Sequence, residues 1–263
     1  MCAKDYNVPG MEFVDTHCHI HANDYTLAAD EVIAAAHKAG VTKMICVGTD
    51  ENDSEQAVAF VQDKQNIWAS VGLHPHDAKL GQEAFDALAA LVDKPKVVAI
   101  GECGLDYYYN HSVKEDQVAA LRFQIELALA HDLPMIFHVR DAFVDFWPIF
   151  DSYQGIRGVV HSFTATEADL TEVLKRGLYV GINGIMTFSK NDAQLAAAKA
   201  IPLDRLVLET DAPFLTPTPL RGKINEPKNV VLTAEFLSTL RGENLEELAA
   251  ASTNNAETLF NLV

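Results

Sequence analysis

Histidines and carboxylates stand at the ends of short apolar runs throughout this 263-residue chain. In the first run, Asp15-Thr16-His17-Cys18-His19, strand alternation turns His17 and His19 to one face and Cys18 to the other. Two imidazoles placed in this way can bind one metal ion. Later runs end in further metal-ligand types, at Glu102, His138, His161 and Asp211. Six such groups packed together without a metal ion would be very costly to desolvate, so the sequence predicts a metal site.

The predicted ligands are more than one ion needs, because a catalytic zinc ion takes about three protein ligands and a water molecule. Two ions about 3.5 to 4 Å apart instead share a bridging carboxylate. Glu102, on the fourth of eight runs, is the expected bridge. We expect one ion on His17, His19, Glu102 and Asp211, and a second on Glu102, His138 and His161. The mixed nitrogen and oxygen donors leave zinc, manganese and magnesium open.

Two divalent ions at such a site indicate hydrolysis by a metal-activated water. Binding between two cations lowers the pKa of water from about 15.7 to about 7, and the same ions neutralise charge on phosphate oxygens. We assign catalytic roles to Glu102 and Asp211. Asp211 either orients and deprotonates the attacking water or is a metal ligand alone, and the sequence leaves both roles open.

Substrate contacts are predicted from five other residues, which are His74, His76, Arg140, Arg221 and Lys223. The two histidines are candidates for contacts with phosphate or with groups behind the metal ligands, and the alternative is a turn stiffened by Pro75. The three cations are candidates for pairing with phosphate oxygens, and the alternative is solvated loop charge. Tyr107, Tyr108 and Tyr109 follow on the Glu102 segment, where a ring can stack on an unpaired base.

Eight short β-branched runs alternate with longer helical patterns, which is typical of a parallel sheet with crossover helices. The predicted strands are 13–18, 44–47, 67–72, 97–101, 135–138, 159–161, 178–181 and 206–209. The predicted helices include 25–39, 51–64, 83–92, 115–131, 169–176, 192–200 and 230–240. About 33 residues per unit match a TIM (β/α)8 barrel of roughly 250 residues. We therefore predict an α/β TIM barrel that occupies residues 1–263 as a single domain.

An open doubly wound sheet is the alternative architecture, but its usual glycine-rich first turn is absent after Cys18. Gly40 and Gly177 each end a predicted helix, as residues that tolerate the left-handed C-terminal position do. We interpret Pro134, Pro148 and Pro202 as boundaries between elements, and residues 244–263 as one or two covering helices.

The charge of the chain is −17, from 20 Lys and Arg and 37 Asp and Glu. This acidity argues against extended duplex binding through a basic face, but a metal site still brings positive charge to a phosphate.

The segment MCAKDYNVPGMEF lacks an apolar signal core, and no run approaches the about 18 apolar residues of a spanning helix. We expect a cytoplasmic protein with no membrane partner and no evident obligate protein partner. The spacing of Cys18, Cys46 and Cys103 is not typical of a disulfide, and we interpret these residues as reduced and part of the core.

Motifs occur in order from Phe13 to Phe260. They are Asp15-Thr16-His17-Cys18-His19, Gly72-Leu73-His74-Pro75, Gly101-Glu102-Cys103-Gly104-Leu105-Asp106-Tyr107-Tyr108, Leu133-Pro134 with His138-Val139-Arg140, His161-Ser162-Phe163, Leu208-Glu209-Thr210-Asp211-Ala212-Pro213, and Arg221-Gly222-Lys223 with Asn225-Glu226-Pro227. They resemble the TatD-type deoxyribonucleases. The resemblance implies a TIM-barrel, amidohydrolase-like hydrolase that cleaves DNA phosphodiesters with divalent cations. It also implies the same six metal ligands.

A few positions depart from the family's pattern, namely His21, Thr164-Ala165 and Leu220. None is a predicted ligand, so the departures bear on substrate preference more than on metal binding.

The leading hypothesis is a deoxyribonuclease of the 3′ to 5′ exonuclease type, because a concave barrel end on an acidic protein admits a single-stranded end more easily than it wraps a duplex. The alternative is hydrolysis of another bond at the same site, such as an aminoacyl-tRNA ester, a lactone or an amide. A third class is a non-catalytic metal-binding protein. Six spread ligands argue against it, because structural metal sites are closed and smaller.

Overall fold

The computed structural model describes residues 10–262 and contains eight strands, each followed by an α-helix. The strands are β1 Phe13–Cys18, β2 Val41–Val47, β3 Ile67–Val71, β4 Val97–Asp106, β5 Met135–Arg140, β6 Gly158–Val160, β7 Tyr179–Ile182 and β8 Leu206–Leu208. The helices are α1 Ala29–Lys38, α2 Glu51–Val61, α3 Gln82–Leu91, α4 Lys114–Ala130, α5 Phe143–Phe150, α6 Glu167–Lys175, α7 Asp192–Ala200, α8 Val230–Arg241 and α9 Leu245–Phe260. The strands follow one another in chain order in one eight-stranded sheet, so the predicted alternation is confirmed.

Two compact units divide the described residues, 10–45 with 162–258 and 46–161 with 259–262. The first unit contains β1, β7 and β8. In it, β7 pairs in parallel with β8, and β1 lies on the other side of β8 through a bridge between Cys18 and Ala212. A first strand beside the last is what barrel closure requires, so the predicted TIM-barrel fold is confirmed. The single domain predicted for residues 1–263 stays a prediction.

The second unit contains β3 to β6, and its register places one extra residue in β4 opposite β5. Ile100 pairs with Met135 and Cys103 with Phe137, so three steps along β4 face two along β5. Such a bulge re-aims the side chain within it, here that of Glu102. Pairing then continues to Asp106 opposite Arg140. The predicted end of this strand at residue 101 was therefore wrong, because regular pairing resumes beyond the bulge.

The side chains of two buried glutamines of α4 hydrogen-bond to backbone groups just after β3 and at the end of β4. Gln124 accepts a hydrogen bond from the Leu73 N–H at 2.8 Å and donates to the Leu73 carbonyl at 3.0 Å. Gln117 does the same for the N–H and C=O of Asp106, at 2.8 and 3.1 Å. These bonds fix the segments that carry His74 and Asp106, because buried backbone groups need partners.

Helix α5 was not predicted, and the interpretation of Pro148 as a boundary was wrong, since this proline lies inside Phe143–Phe150. Phe146 and Phe150 are buried, and their rings lie 5.2 and 5.9 Å from that of Phe137 on β5. Aromatic burial of this kind outweighs the hydrogen bond that a proline removes from a helix.

Other local predictions agree with the structure. Gly40 and Gly177 follow their helices with φ of 88° and 73°. Within residues 244–262 the chain forms one helix, α9 Leu245–Phe260, in which Asn255 donates to the carbonyls of Leu203 and Leu206 at 2.9 and 2.8 Å. Cys18, Cys46 and Cys103 are buried thiols. Within residues 10–262 no helix has the length and apolar character that crossing a bilayer requires. Residues 1–9, on which the expectation of no signal segment partly rests, lie outside the described residues.

We expect Gly72→Ala to lower the free energy of unfolding by about 3 kcal/mol or more. A Cβ at Gly72 would meet the carbonyl carbon of Gly101 and lie 2.6 Å from the Glu102 nitrogen. Backbone at a bulge cannot rotate away as a side chain can. Urea unfolding of both variants measures the effect, with Gly222→Ala as the control, because its Cβ meets nothing within 4 Å and adds only positive-φ strain of about 1 kcal/mol. Equal losses in the two variants would contradict the steric argument.

Candidate metal centre

Three predicted ligands meet in the first unit, and we call them the His17 cluster: His17, His19 and Asp211. The Nε2 atoms of His17 and His19 lie 3.1 Å apart. The Asp211 Oδ1 lies 3.6 Å from the His17 Nε2 and 3.4 Å from the His19 Nε2. The Cys18 thiol points elsewhere and donates to the Ile45 carbonyl. The alternation predicted for this segment is therefore confirmed.

Buried Asp15 aligns β1 with β8 and so positions the His17 cluster. Its Oδ1 accepts from the Thr210 N–H at 2.9 Å and the His17 N–H at 3.3 Å, and its Oδ2 accepts from the Thr210 hydroxyl at 2.6 Å. Burial raises the pKa of Asp15 well above its usual value, although these hydrogen bonds oppose the rise. The Asp211 N–H donates to the His17 carbonyl at 2.8 Å, and Asp211 adopts a φ of 60°. Aspartate adopts this left-handed backbone more readily than most residues with a side chain.

The Glu102 cluster, in the second unit, is formed by Glu102, His74, His138 and His161. One carboxylate oxygen, Oε1 of Glu102, lies 2.8 Å from the His138 Nδ1, 3.0 Å from the His161 Nε2 and 3.4 Å from the His74 Nε2. The Glu102 side chain is only 6% exposed. Three imidazoles thus converge on a desolvated carboxylate.

The donor spacing in both clusters fits a metal ion. Ligands about 2.0 to 2.2 Å from a tetrahedral ion lie about 3.3 to 3.6 Å from one another, and octahedral ligands lie closer together. The His17 cluster has spacings of 3.1 to 3.6 Å, and the Glu102 cluster has spacings of 2.8 to 3.4 Å around Oε1. The chemistry also fits, because neutral imidazole and carboxylate are ligands for zinc and manganese.

His138 lies between two carboxylates, Glu102 on its Nδ1 side and Asp106 on its Nε2 side. The Asp106 Oδ2 is 3.0 Å from the His138 Nε2. Burial alone would lower the pKa of His138, but hydrogen bonds with Asp106 and Glu102 outweigh it and raise that pKa. Burial alone would raise the pKa of Asp106, but hydrogen bonds from His138 and the Tyr109 N–H outweigh it and lower that pKa. An ionised Asp106 keeps a proton on Nε2, which leaves Nδ1 available as a metal ligand.

The motif that contains Asp106 does not assign this residue a role, because its partner histidines are 30 and 32 residues away along the chain. The signal that pointed to it was its position on the segment that carries Glu102.

We expect Asp106→Asn to weaken metal binding by about 10- to 100-fold, the usual effect of removing a partner of a ligating histidine. The two oxygens of Asp106 accept from the Tyr108 N–H at 2.9 Å and face the His138 Nε2 at 3.0 Å. An asparagine that keeps the first bond turns its NH₂ toward His138, which forces the imidazole proton onto Nδ1. Calorimetric metal titration measures the loss, with exposed Glu115→Gln as the control. Unchanged affinity would contradict the orienting role.

His74 is better placed as a hydrogen-bond donor than as a ligand. Its Nδ1 accepts from the His76 N–H at 3.1 Å, and burial lowers the pKa of His74 to about 4 although Glu102 opposes the shift. A neutral imidazole whose Nδ1 accepts must carry its proton on Nε2, the atom that faces Glu102. A proton there blocks metal ligation and leaves a donor for a carboxylate or phosphate oxygen.

We expect His74→Ala to lower activity by about 10- to 100-fold, and His74→Gln to recover part of the loss, because glutamine restores a neutral donor. Steady-state rates of both variants at saturating metal concentration measure the effect. Equal loss in the two variants would argue for a packing role.

The other predicted substrate residues are placed differently. The His76 Nε2 lies 3.0 Å from the Asp106 Oδ2. The Arg140 guanidinium lies over the rings of Tyr108 and Tyr109. Arg221 donates to the Thr216 carbonyl at 3.0 Å, and its Cζ is 3.6 Å from the centroid of the Phe188 ring. Lys223 is exposed. Phosphate pairing by these residues stays a prediction.

A network around Glu209 was also missed. The Glu209 Oε1 accepts from the Ser162 N–H at 2.6 Å and from the Asn183 Nδ2 at 3.1 Å. Asn183 also donates to the Ser162 hydroxyl at 2.9 Å. These bonds fix Ser162, the residue after His161, and Ser162 has a φ of 48°. Glu209 stands in the same motif as Asp211, and that motif was the available signal.

The chain is similar to known proteins over nearly its whole length. A family model described as TatD related DNase matches residues 14–261. The uncharacterized metal-dependent hydrolase YabD of Bacillus subtilis is 38% identical, with 94% of this chain and 98% of the relative covered. The 3′-5′ ssDNA/RNA exonuclease TatD of Citrobacter rodentium is 36% identical, with 94% and 97% covered. The crystal structure of YJJV, a TatD homologue from Escherichia coli, superposes with a TM-score of 0.89 at 30% identity, with 95% and 98% covered.

Proposed function

The chain belongs to the TatD-related DNase family, and on that premise we propose that this metal-dependent hydrolase is an exonuclease that cleaves single-stranded DNA ends from 3′ to 5′. The observation that carries the proposal is the Glu102 cluster. Imidazole nitrogens of His138 and His161 lie 2.8 and 3.0 Å from one buried carboxylate oxygen, an arrangement suited to a divalent ion.

We propose that His17, His19 and Asp211 hold one divalent ion, and that Glu102, His138 and His161 hold a second. The ions, when bound, supply a water molecule of lowered pKa and positive charge for the phosphate oxygens. The bridging role of Glu102 between two ions stays a prediction, as does the identity of the metal.

The chain's own residues supply proton handling and orientation. Asp211 is the proposed proton acceptor, because its side chain is 15% exposed and so is within reach of water, whereas that of Glu102 is 6% exposed. His74 presents its Nε2 proton to Glu102 or to a phosphate oxygen. Asp106 keeps the His138 proton on Nε2.

The net charge of the chain favours single-stranded DNA ends over duplex DNA as the substrate. A net charge of −17 disfavours contacts along an extended phosphate backbone, so phosphate engagement falls to the ions. The cytoplasmic location predicted from the sequence stays a prediction.

Purified protein incubated with strands labelled at the 5′ or the 3′ end tests the proposal. We expect a ladder of progressively shortened 5′-labelled products with divalent ions, no cleavage with a chelator, and weak cleavage of blunt duplex. An RNA strand of the same sequence tests whether ribose is also accepted. No cleavage of any strand across magnesium, manganese and zinc, together with ester release from misacylated tRNA, would favour the other hydrolase hypothesis.

A further inference from the structure

An aromatic and cationic surface lies where β4 and β5 end, and we call it the stacking platform: Tyr108, Tyr109 and His111 after β4, with Arg140 at the end of β5. The Arg140 guanidinium carbon lies 4.2 Å from the Tyr108 ring centroid and 4.7 Å from that of Tyr109. The rings of Tyr109 and His111 are nearly parallel, at 14° with centroids 5.8 Å apart. Tyr108 is 57% exposed and Tyr109 is 50% exposed. Large aromatic surface is thus held at the surface instead of in the core.

The platform is held in place by backbone hydrogen bonds. The Asp106 Oδ1 accepts from the N–H groups of Tyr108 and Tyr109, at 2.9 and 3.0 Å. The Tyr107 N–H donates to the Arg140 carbonyl at 3.0 Å. The Tyr107 ring, with the Lys114 Nζ 3.7 Å from its centroid, anchors the same turn. Rings fixed before binding lose little entropy when a flat ligand stacks on them.

The same carboxylate connects the platform to the Glu102 cluster. While Oδ1 of Asp106 holds the two tyrosine N–H groups, its Oδ2 lies 3.0 Å from the Nε2 atoms of both His138 and His76. The ring centroids of His76 and Tyr109 are 5.4 Å apart. A ligand on the platform would therefore lie at a fixed offset from a predicted metal ligand.

Flat aromatic rings beside a guanidinium match one ligand class well. Unpaired nucleobases stack on tyrosine and on arginine planes, and an arginine stacked on a ring keeps its N–H edge for a neighbouring phosphate. A folded protein partner would need a far larger surface, because stable interfaces bury about 800 Å² on each side. A base inside a duplex is already stacked and paired, so the platform would also select single strands.

We propose that the stacking platform is a binding subsite for an unpaired nucleobase of the strand whose phosphodiester bond is cleaved. The inference rests on the proposed function and names how the strand is recognised. Tyr108 and Tyr109 supply the stacking surface, Arg140 adds a charged plane and a phosphate donor, and Asp106 sets the distance to the Glu102 cluster.

Binding of short, phosphorothioate-linked strands that resist cleavage tests the subsite, measured by fluorescence anisotropy with metal present. One strand carries thymine bases and the other is abasic and of equal length. We expect the wild-type protein to bind the thymine strand more tightly, by about 5- to 150-fold per stacked base. Tyr108→Ala and Tyr109→Ala should remove much of that difference and leave the abasic strand unaffected, while Tyr108→Phe and Tyr109→Phe should keep it.

Tyr153→Ala is the matched control, because this tyrosine lies in the same unit and its hydroxyl bonds Glu126 at 2.9 Å, away from the platform residues. Thermal unfolding checks that the alanine variants remain folded, and the phenylalanine pair serves if they do not. Equal affinity of the alanine variants and the wild type for the thymine strand would overturn the proposal, as would equal weakening toward both strands. Base-dependent binding without cleavage of any strand would reject the proposed function and keep the subsite.

Discussion

Glu102→Gln is expected to lower the rate of strand hydrolysis by about 10³-fold or more, since metal ions stabilise the transition state by several kcal/mol. The carboxylate oxygen that glutamine alters is the one that three imidazoles approach, at 2.8, 3.0 and 3.4 Å. A neutral amide is a weaker ligand for a divalent ion than a carboxylate. Single-turnover rates on a 5′-labelled strand, with metal content by elemental analysis, measure the two consequences together.

The control for Glu102→Gln is Glu126→Gln, because Glu126 is an exposed carboxylate of the same unit. We expect this control to keep the wild-type rate and the wild-type metal content. Glutamine has nearly the shape of glutamate, so both variants should unfold at similar urea concentrations. Wild-type metal content together with a wild-type rate in Glu102→Gln would show that Glu102 is not part of the metal centre.

Asp211→Asn is expected to lower the turnover number by about 10²- to 10⁴-fold, the usual contribution of a general base. The substitution also separates the two roles that the sequence left open. If Asp211 accepts the proton, the rate stays low at saturating metal concentration. If Asp211 is a ligand alone, excess metal restores the rate.

The base role is the one we expect for Asp211, because its side chain is more exposed than that of Glu102, at 15% against 6%. Asp204→Asn, at an exposed position of the same unit, is the control and should keep the wild-type rate. Rescue of the rate by excess metal would leave Asp211 as a ligand only.

Local patterns predicted the elements well where one periodicity dominates. The β1 segment carries alternating inward and outward residues, and the strand occupies Phe13–Cys18 as predicted. Helix α7 also agrees, at Asp192–Ala200. The predictions were wrong where tertiary contacts oppose a local signal. Pro148 favours a break, yet aromatic burial against β5 keeps α5 helical.

The sequence by itself determined which residue types stand at the strand ends, and therefore the chemistry that this protein can perform. The six predicted ligands follow from the alternation of side chains along a strand and from the alternation of strands with helices. Both patterns are visible between residues that are close in the chain. Only the tertiary structure decided which imidazole nitrogen faces which carboxylate. Asp106 sets the proton of His138 from 32 residues away along the chain. Ring orientation depends on hydrogen bonds of about 3 Å, and folding alone determines which distant groups come that close.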